Sequence, residues 1–137
     1  MRKINLFISL VIIVSLVAGC KSTWYAGTKG KEFHKLLTSE KYEKLGDMIS
    51  QEGIVATPKE EWIVFFEDIN KLGGNIESIE KISSEKEDYG DKTKITIIYL
   101  LEFEFQEDSF YEEIVFVLDG NKYELLSYSL NKDKDEF

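Results

Sequence analysis

Ile95-Thr96-Ile97-Ile98-Tyr99-Leu100-Leu101-Glu102-Phe103-Glu104-Phe105 sets an apolar side chain at every second residue: Ile95, Ile97, Tyr99, Leu101, Phe103 and Phe105. A period of two is that of a long strand with one buried face. Working outward, Glu107-Asp108-Ser109 turns the chain and Phe110 to Leu118 reads as a further strand. Asp119-Gly120 then gives a strong hairpin signal. Lys122 to Leu130 closes the series, with Tyr123, Leu125, Leu126, Tyr128 and Leu130. Upstream, Asp88-Tyr89-Gly90-Asp91 is a turn. Before it, Ile76, Ile79 and Ile82 recur every third residue, a spacing read here as a bulged strand. Four antiparallel strands in a meander result.

Helical patterns precede the strands. Thr57-Pro58-Lys59-Glu60 offers a capping Thr, Pro at the first helical position and Glu at the third. Trp62, Phe65, Phe66, Ile69 and Leu72 follow as an apolar stripe, and Gly73-Gly74 stops the helix. Such a stripe suits plain core better than a ligand pocket. Further upstream, Phe33, Leu36 and Leu37 lie on one face, while Tyr42, Leu45, Met48 and Ile49 lie on another. That phase slip predicts a break near Thr38-Ser39, with Ser39 capping a second short helix. Helices on one side of an antiparallel sheet make an α+β domain.

The closing run Asp119-Gly120-Asn121-Lys122-Tyr123-Glu124-Leu125, followed by Tyr128, resembles the last hairpin of the nuclear transport factor 2-like, or cystatin-like, superfamily. There the hairpin often reads Asp-Gly-x-Trp-x-Ile with a tyrosine a few residues on; Tyr123 and Leu125 stand at the Trp and Ile positions after one extra residue. The resemblance covers residues 31–130. It implies N-terminal helices packed on a curved four-stranded antiparallel sheet, the cystatin-like cone. The superfamily includes isomerases, dehydratases, transport adaptors and many lipoproteins, so the fold does not decide function. Its enzymes place Asp, Tyr or His inside the cone, and no residue here aligns to such a dyad.

The first twenty residues give an address. Arg2 and Lys3 precede Ile4 to Ala18, an apolar stretch broken by Asn5, Ser9 and Ser15. That is short for a membrane span and right for a secretory signal. Val17-Ala18-Gly19-Cys20 resembles the lipobox of bacterial lipoproteins, which implies cleavage between Gly19 and Cys20 and a diacylglyceryl group on Cys20. The alternative is a secreted protein whose cysteine falls there by chance. Cys20 is the only cysteine, and a lipidated thiol accounts for a lone cysteine in an exported chain. Residues 1–19 are thus expected to be a signal peptide and 20–30 a lipidated tether, with the domain over 31–130 and a polar tail over 131–137. Lys21 is not the Asp that marks inner-membrane retention, so outer-membrane sorting is expected in a two-membrane host. Trp24 and Tyr25 suit either the membrane interface or packing on the domain.

Formal net charge is −9, and removal of Arg2 and Lys3 makes the mature chain more acidic still. Nucleic acid is excluded as a partner; a basic protein is favoured. Between Ile95 and Asn121 there is no Lys or Arg, yet Glu102, Glu104, Glu107, Asp108, Glu112, Glu113 and Asp119 occur. A hairpin turning at Asp108-Ser109 sets Glu104 against Glu113; a loop one residue longer or shorter sets it against Glu112. Two readings compete: a solvated tip that discourages edge pairing, or an acidic docking surface formed by Glu102, Glu104, Glu107, Asp108, Glu112 and Glu113. No calcium loop, phosphate loop or paired-His motif occurs, so no cofactor or metal is expected. His34, the only histidine, sits beside Phe33 at a helix edge and suits a solvated or hydrogen-bonded structural role better than a catalytic one. Asp68 suits a solvated one. Both faces of the hairpin base are apolar, with Ile97, Tyr99 and Leu101 on one and Ile98 and Leu100 on the other, so a homodimer through the sheet could cover the outer face. The expectation is a non-catalytic, lipid-anchored binding or adaptor module of the bacterial envelope. The alternatives are an inhibitor or immunity-type lipoprotein using its acidic surface, or a small isomerase-like enzyme with its site in the cone.

Overall fold

A computed structural model describes residues 24–137. The expected signal peptide (1–19), the expected cleavage site at Gly19-Cys20 and the first residues of the expected tether lie outside the described residues. Helix α1 occupies residues 24–38, α2 Tyr42–Asp47, α3 Gln51–Ala56 and α4 Lys59–Gly73. Strands β1 (Ile76–Tyr89), β2 (Lys92–Phe103), β3 (Phe110–Asp119) and β4 (Lys122–Asn131) then form one antiparallel sheet in the order β1-β2-β3-β4.

The sheet is curled by extra residues at known places. Ile76 pairs with Phe103 but Ser78 with Glu102, so Glu77 is an extra residue in β1; likewise Lys81 pairs with Tyr99 and Ser83 with Ile98, leaving Ile82 over. Bulges bend a strand and raise its twist, and they explain the three-residue isoleucine spacing: Ile76 and Ile79 return to the same face because Glu77 is inserted between them. In β4, Ser127 pairs with Val115 and Leu125 with Phe116, so Leu126 is the extra residue. The two tight turns fall at Gly90 (φ 64°) and Gly120 (φ 65°), where glycine takes the left-handed conformation without strain.

The concave face packs on α1 and α4. Ile95, Ile97 and Leu101 of β2, Ile114 and Phe116 of β3 and Leu125 of β4 meet Phe33 and Leu37 of α1 and Phe66 of α4, all fully buried. Asn70 of α4 donates to the Leu37 carbonyl at 2.7 Å and the Tyr42 hydroxyl at 2.8 Å, tying α4 to the end of α1 and the start of α2. Ser50 N–H donates to Leu125 O and Leu125 N–H to Met48 O, both at 2.7 Å, which fastens the α2–α3 junction to β4.

Several local expectations are corrected. Residues 24–30 have the composition of a tether but are helical, because Ala26 is wholly buried and Gly30 lies against Tyr99. The break after α1 falls at 39–40, where Glu40 takes φ 57°, and Lys41 rather than Ser39 stands at the N-cap of α2. Thr57 closes α3, its N–H donating to Gly53 O, while Pro58 stands at the N-cap of α4. Helix α3 is absent from the sequence reading; its start is capped by the Ser50 side chain, which accepts from Gly53 N–H at 3.1 Å. Past β4, Lys134–Glu136 makes a 3-10 turn in the polar tail.

Candidate functional site

The site grows from one rung of the sheet. Lys81 of β1 pairs with Tyr99 of β2, and Tyr99 pairs with Glu112 of β3. Directly opposed residues share a face, here the concave one, which also carries Ile97 and Leu101 beside Tyr99, and Phe110 and Ile114 beside Glu112. Glu112 therefore projects into the apolar interior and is fully buried.

Its charge is answered from two sides. His34, one residue past Phe33 on α1, brings Nε2 within 2.5 Å of Glu112 Oε2. Tyr128 of β4 donates its hydroxyl to the other oxygen, Oε1, at 2.7 Å. When Glu112 is ionised it can only accept, and Nε2 is then the donor of the His34–Glu112 bond. Aromatic rings fix both partners. Tyr128 stacks on Phe33 at 5.2 Å between centroids and meets Phe66 edge-on at 5.5 Å; His34 meets Tyr99 edge-on at 4.8 Å. Burial, with the Glu112 charge adding to it, pushes the Tyr99 phenol up to about 12. The Tyr128 phenol is also raised, first by burial, then by the charge of Glu112 and the hydrogen bond to it. Both phenols are thus neutral donors across the physiological range.

The cluster borders a groove through His34 and Tyr99, each 5% exposed. His34 and Tyr99 line a groove of about 520 Å³ between the first turns of α1 and strand β1, together with Trp24, Gly27, Thr28, Lys31, Ile79 and Lys81. Ile79 belongs to the inner face through its pairing with Leu101, yet it is 44% exposed, because the groove keeps it uncovered. Among the described residues, no hydrogen bond engages the second imidazole nitrogen, Nδ1. The ring is thus held by a buried carboxylate at one nitrogen and lines the groove, an arrangement suited to hydrogen bonding or proton exchange with a bound molecule.

The acidic residues are not brought together. Glu112 leaves the proposed docking surface altogether, since it is inside the cone. Glu113 points to the convex face, where burial raises its carboxyl pKa against the opposing effect of Lys94. Strand β2 ends at Phe103, so Glu104 faces neither Glu112 nor Glu113; it accepts from Asn75 Nδ2 at 2.8 Å. Asp108 pairs with Lys132 at 2.7 Å. Glu102 and Glu107 are exposed. The sequence signal for the site was available: Phe110, Glu112, Ile114 and Phe116 fall on one period-two face, so the carboxylate interrupts an apolar row. Counting Glu112 with its neighbour Glu113 hides that signal. Asp68 lies at a separate apolar cleft of about 310 Å³ with Phe65, Leu72 and Phe110. No group of metal-binding side chains occurs among the described residues.

The sequence matches no family model and no curated protein. Its structure is similar to that of Bdellovibrio bacteriovorus Bd1075, with a TM-score of 0.57 and 9% identity over 82% of this chain. The chain spans only 41% of the Bd1075 chain. It is also similar to a designed NTF2-like protein, with a TM-score of 0.56 and 14% identity, covering 78% of this chain and 96% of that one. These likenesses show the fold, helices packed on a curled four-stranded antiparallel sheet, and nothing about activity.

Proposed function

We propose that this NTF2-like cone is a binding module of the bacterial envelope, anchored through lipid on Cys20, that takes a small molecule in the groove beneath α1 with His34 as its main polar contact. The observation that carries the reading is the His34–Glu112 pair, which spends a buried carboxylate on orienting an imidazole that lines an open groove. The anchor is supported by Val17-Ala18-Gly19-Cys20. Helix α1 starts no later than Trp24, four residues after Cys20, so the groove mouth stands within about 14 Å of chain from the lipid.

A second reading is favoured by the carboxylate behind the ring. A Glu-held imidazole beside a neutral phenol is the equipment of a general acid–base centre, and an isomerase-type activity would use His34 to move a proton.

One experiment tests the binding reading. The full lipidated chain in nanodiscs is screened by ¹⁹F NMR against water-soluble fluorinated fragments, alongside Gly27→Trp. Gly27 lines the groove and has nothing within 4 Å of an added Cβ, so a large side chain there fills the groove without disturbing the backbone. Fragments that bind the native chain and not Gly27→Trp support the reading; identical hits for both, or none for either, contradict it. Cys20→Ser should move the protein out of the membrane fraction, and continued membrane retention would refute the anchor.

A further inference from the structure

We infer that the groove takes an amphiphilic anion: a carboxylate head held at Lys31, Lys81 and a His34 ring that is protonated at Nδ1 in the complex, and an apolar body lying along Trp24 and Ile79. The inference rests on the groove-binding reading and names its ligand class. Three observations carry it.

The first is the charge of the lining. The chain has 26 acidic residues against 17 basic ones, yet among the described residues no carboxylate lines the groove, while two lysines do. Lys29, Lys59, Lys71, Lys92, Lys94, Lys122 and Lys132 are ion-paired; among the described residues Lys31 and Lys81, like Lys35, Lys41, Lys44 and Lys134, have no ion-pair partner. Two unanswered ammonium groups at one cleft in an acidic protein focus field on an anion. The two ammonium groups, joined by the ring when Nδ1 is also protonated, outweigh Glu112 behind it and favour an anion.

The second is the placement of donors. Lys81 lies on the same rung as Tyr99, the phenol of Tyr99 stays protonated, and the imidazole edge is turned on its inner side toward Glu112. Ammonium, phenol and imidazole therefore line one groove, and charge-assisted bonds to a carboxylate are the stronger kind. The third is the apolar wall. Trp24 is 67% exposed and Ile79 44% exposed, both on the groove, which gives an apolar body a surface to cover.

The test uses a matched pair, 4-phenylbutyrate and 4-phenylbutyramide, titrated into the full lipidated chain in nanodiscs and read by Trp24 fluorescence and calorimetry. The carboxylate should bind at least about tenfold more tightly than the amide. Lys31→Gln and Lys81→Gln should each weaken the carboxylate several-fold and leave the amide unchanged, and added salt should weaken the carboxylate alone. Equal binding of the two probes, abolished by Gly27→Trp, overturns the anionic class while leaving groove binding intact. Carboxylate binding that survives Gly27→Trp overturns the location. Binding of neither probe overturns the inference, and groove binding itself fails only if the fragment screen is also empty.

Discussion

Glu112 accepts two hydrogen bonds while wholly removed from solvent, one from His34 Nε2 at 2.5 Å and one from Tyr128 Oη at 2.7 Å. Removing His34 leaves Glu112 buried with Tyr128 as its remaining donor, and losing one partner of such a pair costs up to about 3–5 kcal/mol. His34→Phe should therefore destabilise the protein by about that amount in urea unfolding. The triple variant His34→Phe, Glu112→Leu, Tyr128→Phe removes every polar member together and should regain most of the loss, because an apolar replacement of similar volume is often neutral or better. A triple variant as unstable as His34→Phe would show that the cluster is needed for folding and not retained at the expense of stability for a site.

Two glycines one turn apart on α1 should respond in opposite directions. Gly27 faces open groove, so Gly27→Ala should stabilise by about 0.5–1 kcal/mol through lower unfolded-state entropy. A Cβ at Gly30 would collide with the Tyr99 hydroxyl. Gly30→Ala should cost about 1–3 kcal/mol as an overpacked contact and displace Tyr99 and, through their 4.8 Å ring contact, His34. Thermal unfolding of both variants checks the pair; equal responses would contradict the packing of α1 on β2.

Alkaline stability follows from the two buried phenols. Tyr99 and Tyr128 are raised above the ordinary value of 10 in the folded chain. Between that value and the folded one, about 12 for Tyr99, the unfolded chain has lost protons that the folded chain keeps. The stabilisation is thus complete below pH 10 and lost as pH rises toward 12, with a slope of about 1.4 kcal/mol per unit per phenol. Urea unfolding from pH 9 to 12 should show the decline, and Tyr99→Phe should make it shallower. A flat profile would place both hydroxyls in water.

The fold was legible wherever burial imposes a period. Ile95 to Phe103 alternates because alternate residues meet α1 and α4, and Gly90 and Gly120 stand at the turns that need φ above zero. The start of α1 was hidden because its Gly, Thr and Lys residues line a groove and keep the polarity of a linker. The site was hidden for a different reason. His34 and Glu112 are 78 residues apart, and only the register of β2 on β3 and the seating of α1 bring them together. The glutamate's position in an apolar row was the one local trace. The resemblance of Val17-Ala18-Gly19-Cys20 to a lipobox rests on short-range sequence alone and lies outside the described residues.

The central claim is that the Glu112-held imidazole of His34 contacts a molecule in the groove. The most direct measurement is the ¹⁵N spectrum of the His34 ring in the full chain, recorded with and without 4-phenylbutyrate. The account predicts a protonated Nε2 that keeps its bond to Glu112 throughout, and an Nδ1 resonance that shifts saturably with added carboxylate and stays fixed in Gly27→Trp. An Nδ1 resonance indifferent to a carboxylate that calorimetry shows to be bound would contradict it.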